Sequence, residues 1–311
     1  MKFKIFFTIT IIAGFLLLGL NSCNKYLEMP AQTSFNTDSV FSRYQNVERL
    51  IFDLYQFQGR ALATALNGKL NSTSVSTITD EAICFTAQNG YTANNVYAGS
   101  INSTWFTVNG GNGEDVYDNH WRTIRKALIL RENIDRVPDA PADVKGRVKG
   151  ECNAVMALEY FEMFKRYGGV PIVTKPLNDA EDFVIPRASL DSVYKYIINL
   201  CDAAIANPFF PAKVPDEKEF GRLTKAFAYG LKARTMLYAA SPLFNTDKPY
   251  QDFGANNKLL CLMKYDKNLW ASAAQAAREA IAYCEQNGYG IVKSFGAAKN
   301  YKVACEDVPK A

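Results

Sequence analysis

Apolar residues recur at helical spacing through most of the chain from residue 119 onward. Between Trp121 and Val137 they cover more than one narrow stripe of a helix and stop at Pro138, which predicts a helix packed between neighbours. A second apolar helix is predicted from Val148 to Tyr167. It ends at a Gly-Gly pair, which is followed by a short extended run of Val and Ile.

The same periodicity predicts three more helices in the second half of the chain. Ser189 is a favourable N-cap for the first of these, which runs to Pro208. The others extend from Arg222 to Ala240 and from Leu269 to Gln286, and both are rich in Ala, which lets helices approach closely. Asn287 and Gly288 are placed to cap the last one. These patterns predict a mainly all-α fold of helical hairpins that resemble degenerate tetratricopeptide units.

Residues 56–118 contrast with the helical part because they are rich in Asn, Ser, Thr and Gly. Loops of this length in a compact protein are usually functional or disordered. Aromatic rings stack on the C–H faces of sugars, and side-chain amides match vicinal hydroxyls. We therefore predict a ligand surface here, with Trp105 as its main residue. An alternative is that the aromatic rings form a small local core beneath the loop. The candidate binding residues are Trp105, Tyr91, Tyr97, Phe106, Asn89 and Asn102.

The N-terminus has the features of a lipoprotein signal peptide. Lys2 and Lys4 precede an apolar run that is shorter than a membrane span and is interrupted by Thr and Gly. Small or polar residues then precede Cys23, as in the bacterial lipobox. We predict that residues 1–22 are removed and that Cys23 carries the lipid anchor, because several acyl chains on one residue hold a protein stably at a membrane. An ordinary signal peptide followed by an incidental cysteine is the alternative.

Charge and cysteine content limit the remaining possibilities. The formal charge of +4 includes Lys2 and Lys4, so the mature chain is nearly neutral and gives no indication of a nucleic-acid partner. The other six cysteines include no C-x-x-C pair, and several fall in apolar helical patterns. Buried free thiols are the favoured interpretation, and disulfides are the alternative.

The sequence offers little to support an enzyme. His120 is the only histidine and lies at a predicted helix start, so we expect it to be structural. Motifs of serine hydrolases, zinc proteases and P-loop proteins are absent. Residues 109–115 do not have the spacing of a calcium loop. We predict no catalytic residue, no metal and no cofactor. A glycosidase that uses two carboxylates among Glu81, Glu114 and Asp115 is the remaining enzymatic alternative.

Several short motifs follow one another in a fixed order between residues 23 and 290. They are Tyr26-Leu27-Glu28-Met29-Pro30 after Cys23, Trp121-Arg122-x-Ile124-Arg125-Lys126-Ala127, Arg166-Tyr167-Gly168-Gly169-Val170-Pro171, Pro186-Arg187-Ala188-Ser189, Gly221-Arg222-Leu223-Thr224-Lys225-Ala226, and Leu237-Tyr238-Ala239-Ala240-Ser241-Pro242. In this order they resemble the SusD/RagB family of outer-membrane nutrient-binding lipoproteins. The chain differs from the family's usual pattern at Leu128, where Asn is common, and at Asn153 and Met156, where arginines are common.

The resemblance implies a first helix from Phe41 to Tyr55 and a SusD-like helical domain over residues 23–311, without the family's usual C-terminal region. It also implies a surface-exposed lipoprotein, anchored in the outer membrane, that binds glycans or other nutrients. Such a protein would deliver its ligand to a SusC-like, TonB-dependent barrel and would catalyse no reaction. A tetratricopeptide-like envelope scaffold is the alternative class; it would place recognition on a concave helical face and would need no aromatic loop.

Overall fold

The computed structural model describes residues 37–63, 80, 99, 117–177, 184–214 and 216–306, and the account below concerns these residues. The chain separates into two compact units at residue 40. The first unit contributes one short described helix, α1, at Thr37–Val40. The second unit contains all the other described elements.

The second unit is built from consecutive α-helices, and no strand occurs in the described residues. Neighbours in sequence pack against each other: α2 on α3, α3 on α4, α4 on α5, α5 on α6 and α6 on α7. The predicted all-α fold of helical hairpins is confirmed. The helices are α2 Tyr44–Ala63, α3 Tyr117–Asn133, α4 Ala142–Tyr167, α5 Leu190–Ala206, α6 Lys225–Ala240, α7 Asn268–Gln286 and α8 Ala297–Glu306, with 3-10 turns at Ile134–Arg136, Glu217–Glu219 and Gly254–Leu259.

Helix α4 forms the centre of the core. Between Val148 and Phe164 every residue except Lys149 and Asn153 is buried, because α2, α3, α5 and α6 all pack against this helix. Burial on all sides explains why its apolar residues do not follow a single stripe. Met156 is fully buried in this core.

Helix boundaries differ from the predicted ones where local signals compete. Helix α2 begins at Tyr44 rather than Phe41 and continues to Ala63, so the first eight residues of the stretch 56–118 are helical. Helix α6 begins at Lys225, three residues after Arg222. Gly221 adopts a positive φ of 94°, and the Lys225 amide donates to Pro211 O, so the chain turns before the helix begins.

The turn after α4 requires glycine. Gly168 has a φ of +72°, and a Cβ atom placed on it would lie 2.1 Å from the Leu259 carbonyl oxygen. The run that follows, Val170 to Val173, was predicted to be extended. It forms a loop with no strand partner, and its position is set by side chains, as described next.

Candidate functional site: a cleft between α3 and the loop after α4

All the residues named from the sequence as a ligand surface lie outside the described residues, as does Cys23. The same holds for the alternative carboxylates Glu81, Glu114 and Asp115. The assignments to Trp105, Tyr91, Tyr97, Phe106, Asn89, Asn102 and Cys23 therefore stay predictions. The structure does, however, show a cleft next to the point at which this stretch of chain rejoins the helical body.

One face of α3 forms the first wall of the cleft, whose volume is about 470 Å³. The wall residues are spaced at i, i+4, i+7, i+8 and i+11, which places them on one side of a helix. They are Tyr117, Trp121, Ile124, Arg125 and Leu128. Ile124 and Leu128 are buried at the bottom of this wall, whereas Arg125 is exposed. The wall is thus apolar at its base and cationic at its rim.

The loop between α4 and α5 forms the second wall. Its lining residues are Pro171, Val173, Lys175, Pro176, Leu177 and Ile185. The Ala188 amide donates to Val170 O at 3.1 Å, and side chains of α3 and α4 bond three further backbone groups of this loop. Tyr160 Oη accepts from the Val173 amide at 2.9 Å. Arg131 Nη2 donates to Thr174 O at 2.9 Å, and Arg125 Nη1 donates to Leu177 O at 2.5 Å. Helices α3 and α4 therefore hold the loop at a fixed distance from α3.

Arg131 also donates from Nη1 to the side-chain oxygen of Asn153 at 3.1 Å. Asn153 thus supplies an acceptor for this arginine. Together the two contacts fix the guanidinium that supports the loop.

A chain of aromatic rings in edge-to-face contact fixes the aromatic part of the cleft. The ring centroids of Tyr117 and Trp121 are 5.7 Å apart, and those of Trp121 and Tyr160 are 6.0 Å apart. Tyr117 also meets Tyr167 at 5.0 Å, and Tyr160 meets Tyr196 at 5.0 Å. Edge-to-face contacts of this kind favour one ring orientation. Tyr117 and Trp121 are half-buried, so they form a preorganised aromatic surface at the cleft.

Two cations, Arg125 and Lys175, are the charged members of the cleft lining among the residues that the structure describes. The acidic residue on the same helix nearest to this face, Asp118, pairs with Arg122 at 3.1 Å. A ligand in the cleft would meet aromatic rings and aliphatic side chains below and cations above.

His120 lies on a neighbouring face of α3 and is buried, as the sequence predicted for a structural residue. Its Nδ1 is 2.5 Å from Glu159 Oε2, and both side chains are at most 3% exposed. Burial raises the pKa of Glu159, and hydrogen bonding to His120 partly opposes that rise. Neither side chain is among those that line the cleft.

A second buried polar cluster joins α4 to the segment before α6. Glu151 accepts hydrogen bonds from Arg147 Nε at 3.0 Å and from Arg222 Nε and Nη2 at 3.0 and 2.9 Å. Glu219 completes the cluster by accepting from Nη1 of both arginines, at 2.8 and 2.6 Å. Every carboxylate here is neutralised by arginine, which is the arrangement of a structural ion-pair network.

The described residues contain no group of three or more His, Cys, Asp or Glu side chains that could hold a metal ion. Cys152, Cys201 and Cys261 are buried free thiols, and Cys284 is a half-buried one, as favoured from the sequence. Burial raises the pKa of Cys201 to about 12, so this thiol stays protonated and unreactive. None of the helices within the described ranges is long and apolar enough to cross a bilayer.

The cleft residues were missed as ligand residues at the level of sequence, although Tyr117, Trp121 and Arg125 share one helical face. Their spacing was visible, but it is the same spacing that packs a helix against a neighbour. Only the position of the loop after α4 leaves that face open.

Stacked helical hairpins with an aromatic cleft define the chain as an all-α protein of the tetratricopeptide-like type. A family model described as starch-binding associating with outer membrane, of the SusD-like type, matches residues 25–237. The chain belongs to this SusD-like family.

One curated relative resembles part of the chain in sequence, and solved structures share its fold. A SusD-like protein from Formosa agariphila is 32% identical over 84 residues, which is 26% of this chain and 16% of that protein. A crystal structure of a SusD-like protein from Bacteroides fragilis superposes with a TM-score of 0.52 at 22% identity, covering 85% of this chain and 42% of the other. A laminarin-binding SusD-like protein superposes with a TM-score of 0.51 at 19% identity, over 64% of this chain and 41% of that one. The chain thus spans less than half the length of these solved structures.

Proposed function

We propose that this protein is a surface-exposed outer-membrane lipoprotein that binds glycans and delivers them to a SusC-like, TonB-dependent transporter. The aromatic cleft between α3 and the loop after α4 is the observation that carries this proposal. Membership of a family described as starch-binding and outer-membrane-associated supports it. So does the fold it shares with a structure named as a laminarin-binding SusD-like protein.

The dimensions and chemistry of the cleft suit a saccharide. A volume of about 470 Å³ is within the usual range for a small-molecule site. Tyr117 and Trp121 offer aromatic surface for the C–H faces of a sugar ring. Because the loop is bonded to α3 and α4 through Arg125, Arg131 and Tyr160, the site is formed before a ligand arrives. Preorganisation of this kind reduces the entropic cost of binding.

The aromatic stretch that the sequence singled out connects directly to this cleft. Tyr117 is both the first residue of α3 and a lining residue, so the polypeptide that carries Trp105 and Phe106 must return to the cleft wall. We infer that Trp105, with Tyr91, Tyr97, Phe106, Asn89 and Asn102, extends the binding surface beyond the cleft.

The described residues supply binding groups without a catalytic arrangement. His120 and Glu159 are buried in a mutual contact, and the Glu151 cluster is neutralised by arginines. A lipid on Cys23 would hold the protein at the membrane, and a transporter barrel would take up the bound glycan. The protein on this account captures its ligand and releases it unchanged.

Calorimetric titration of the chain against neutral oligosaccharides, laminarin and starch oligomers among them, tests this function. Trp105→Ala is expected to weaken binding about tenfold to hundredfold, corresponding to a loss of about 1–3 kcal/mol by analogy with base stacking on aromatic side chains. Trp270→Ala is the matched control, because Trp270 is 44% exposed on α7 and does not line the cleft.

Equal loss of affinity in the two variants would argue against a stacking role for Trp105. Failure of every glycan to bind the unaltered chain would contradict glycan capture. Release of shortened products, abolished by Glu81→Gln or Asp115→Asn, would establish the glycosidase alternative instead.

A further inference from the structure

We propose that an exposed side of α7 is a contact surface for a second copy of this chain, in which the two α7 helices pack antiparallel across a two-fold axis. This inference goes beyond glycan capture and does not depend on it. It follows from an exposed apolar row on α7, from the symmetry of that row, and from opposite charges at its two ends.

Helix α7 carries an apolar row that stays exposed. The helix packs against α6, and Ala273 and Ala276 are its only buried residues. An adjacent side has exposed side chains at intervals of four, three and four residues, namely Trp270, Ala274, Ala277 and Ile281. Trp270 is 44% exposed and Ile281 is 59% exposed. This spacing is that of the seam between two packed helices, and contiguous exposed apolar side chains mark an interaction surface.

The order of side-chain sizes along the apolar row suits a second copy of the same row. Trp270 and Ile281 stand at its ends, and Ala274 and Ala277 lie between them. A two-fold axis midway between the two alanines sets Ala274 of one copy opposite Ala277 of the other, and Trp270 opposite Ile281. The alanines let the helix axes approach to the usual distance of about 8–10 Å, while the larger side chains close both ends. The same patch then serves both copies, as an isologous interface requires.

Two opposite charges flank the ends of the apolar row. Lys267 and Glu285 are both exposed, and within the described part of the chain neither forms an ion pair. Their separation of 18 residues is five helical turns, so both lie on the same side of the row but about 27 Å apart along the axis. They cannot meet within one helix. In the antiparallel pair, Lys267 comes level with Glu285 of the second copy, and the two-fold axis makes this contact twice.

The third charged residue on that side of the row is Arg278, whose guanidinium donates to Gln275 of its own helix. In the antiparallel pair Arg278 comes level with residues 271–273 of the second copy, which are small and uncharged. The pairing therefore matches opposite charges at the ends and sets no acidic or basic residue of the second copy level with Arg278.

The size of the face sets the strength of the contact. With 19 residues, α7 is about 28 Å long and, with its side chains, about 10 Å wide. Such a face is well below the roughly 800 Å² per partner that a stable complex buries. We therefore expect a weak and reversible dimer that forms as the protein concentration rises.

Sedimentation equilibrium of the full chain in a density-matched non-ionic detergent measures this association. The protein mass should rise from monomer towards dimer with concentration. Ala277→Glu should weaken dimerisation about tenfold or more, because it buries a carboxylate against apolar side chains at the centre of the interface. Ser272→Glu is the matched control, since it adds the same charge to the opposite, exposed side of α7 and should leave dimerisation unchanged. Circular dichroism should show equal helix content in both variants.

An exchange of charges tests the antiparallel arrangement. Lys267→Glu and Glu285→Lys should each weaken the dimer about threefold to tenfold at low salt, because each sets like charges against each other at both ends. The double variant restores opposite charges and should recover the affinity of the unaltered chain. Because the two positions are too far apart to interact within one helix, this recovery requires a second copy.

A chain that stays monomeric at every concentration would overturn the inference and leave glycan capture standing. A dimer that Ala277→Glu and Ser272→Glu weaken equally, or one in which the exchanged charges bring no recovery, would overturn it as well. A monomeric chain that Ala277→Glu destabilises in urea unfolding would show that another segment of polypeptide covers the apolar row, and this result too would reject the second copy.

Discussion

Replacement of Glu151 by glutamine is the sharpest test of what holds the helical body together. The Glu151 side chain is 1% exposed, and it accepts three hydrogen bonds from Arg147 and Arg222, whose side chains are 15% and 13% exposed. Burial alone would lower the pKa of Arg222, but the charge of Glu151 and its hydrogen bonds raise that pKa above the ordinary value. The carboxylate therefore offsets the cost of burying the guanidinium charge.

The expected loss of unfolding free energy follows from the burial of these paired charges. Glutamine keeps the volume of Glu151 but removes its charge, and its amide N–H₂ group would face arginine donors. Removing one partner of a buried ion pair typically costs about 3–5 kcal/mol. Glu219 accepts from the same two arginines but is 27% exposed, so Glu219→Gln should cost about 1 kcal/mol or less. Urea unfolding at pH 7, followed by circular dichroism, measures both variants.

A double variant identifies the cause of the loss. With Arg222→Met added to Glu151→Gln, the combined cost should fall below the sum of the single costs by about 0.5–3 kcal/mol, as for residues in direct contact. Equal and small losses for Glu151→Gln and Glu219→Gln would refute the reasoning, because burial would then not govern the strength of the cluster. Strictly additive costs would refute a direct Glu151–Arg222 interaction.

Three further outcomes are expected. Glu159→Gln should alter the pH dependence of stability, because burial raises the pKa of Glu159 in the folded state. The unaltered protein should lose unfolding free energy as pH rises above about 4.5, by at most about 1.4 kcal/mol per pH unit. The variant should lose less over the same range, and a variant curve with the same slope would contradict this. Gly168→Ala should destabilise the fold by more than 1 kcal/mol in urea unfolding, because its φ is +72° and the Leu259 carbonyl occupies the Cβ position; an unchanged midpoint would show that the turn can adjust. Cys23→Ala should abolish palmitate labelling and membrane retention and leave the helical circular dichroism unchanged, and continued labelling would exclude Cys23 as the lipid site.

Many of the helices could be predicted from the sequence because the signals that define them are local. The Ser189 side chain does cap α5, since its Oγ accepts from the Ser192 amide at 3.1 Å. Gly168 and Gly288 adopt positive φ at the ends of α4 and α7, as glycine does at helix C-termini. Apolar spacing likewise placed the ends of α4, α6 and α7 correctly at Tyr167, Ala240 and Gln286. Each signal acts within a few residues along the chain, so a single sequence contains it in full.

The partners of the polar residues could not be predicted, because they come from distant segments. Glu151 meets Arg222, 71 residues further along the chain, and His120 meets Glu159 across 39 residues. Periodicity tells which face of a helix is apolar, but it does not say which neighbour covers that face. Asn153 illustrates the point: in the sequence it is a departure from the family's arginine, and in the structure it accepts a hydrogen bond from Arg131.

The cleft is the feature that could least be predicted from the sequence, because it depends on tertiary structure. The sequence predicted a helix with Trp121 and Arg125 on one face, and a Gly-Gly turn that ends α4 before an extended run. Only the structure added Tyr117 to that helix. The structure decided that this run forms no strand and is bonded to Tyr160 of α4 and to Arg131 and Arg125 of α3. The position of the second wall depends on these contacts between segments that are distant along the chain, and no pattern along one segment encodes it.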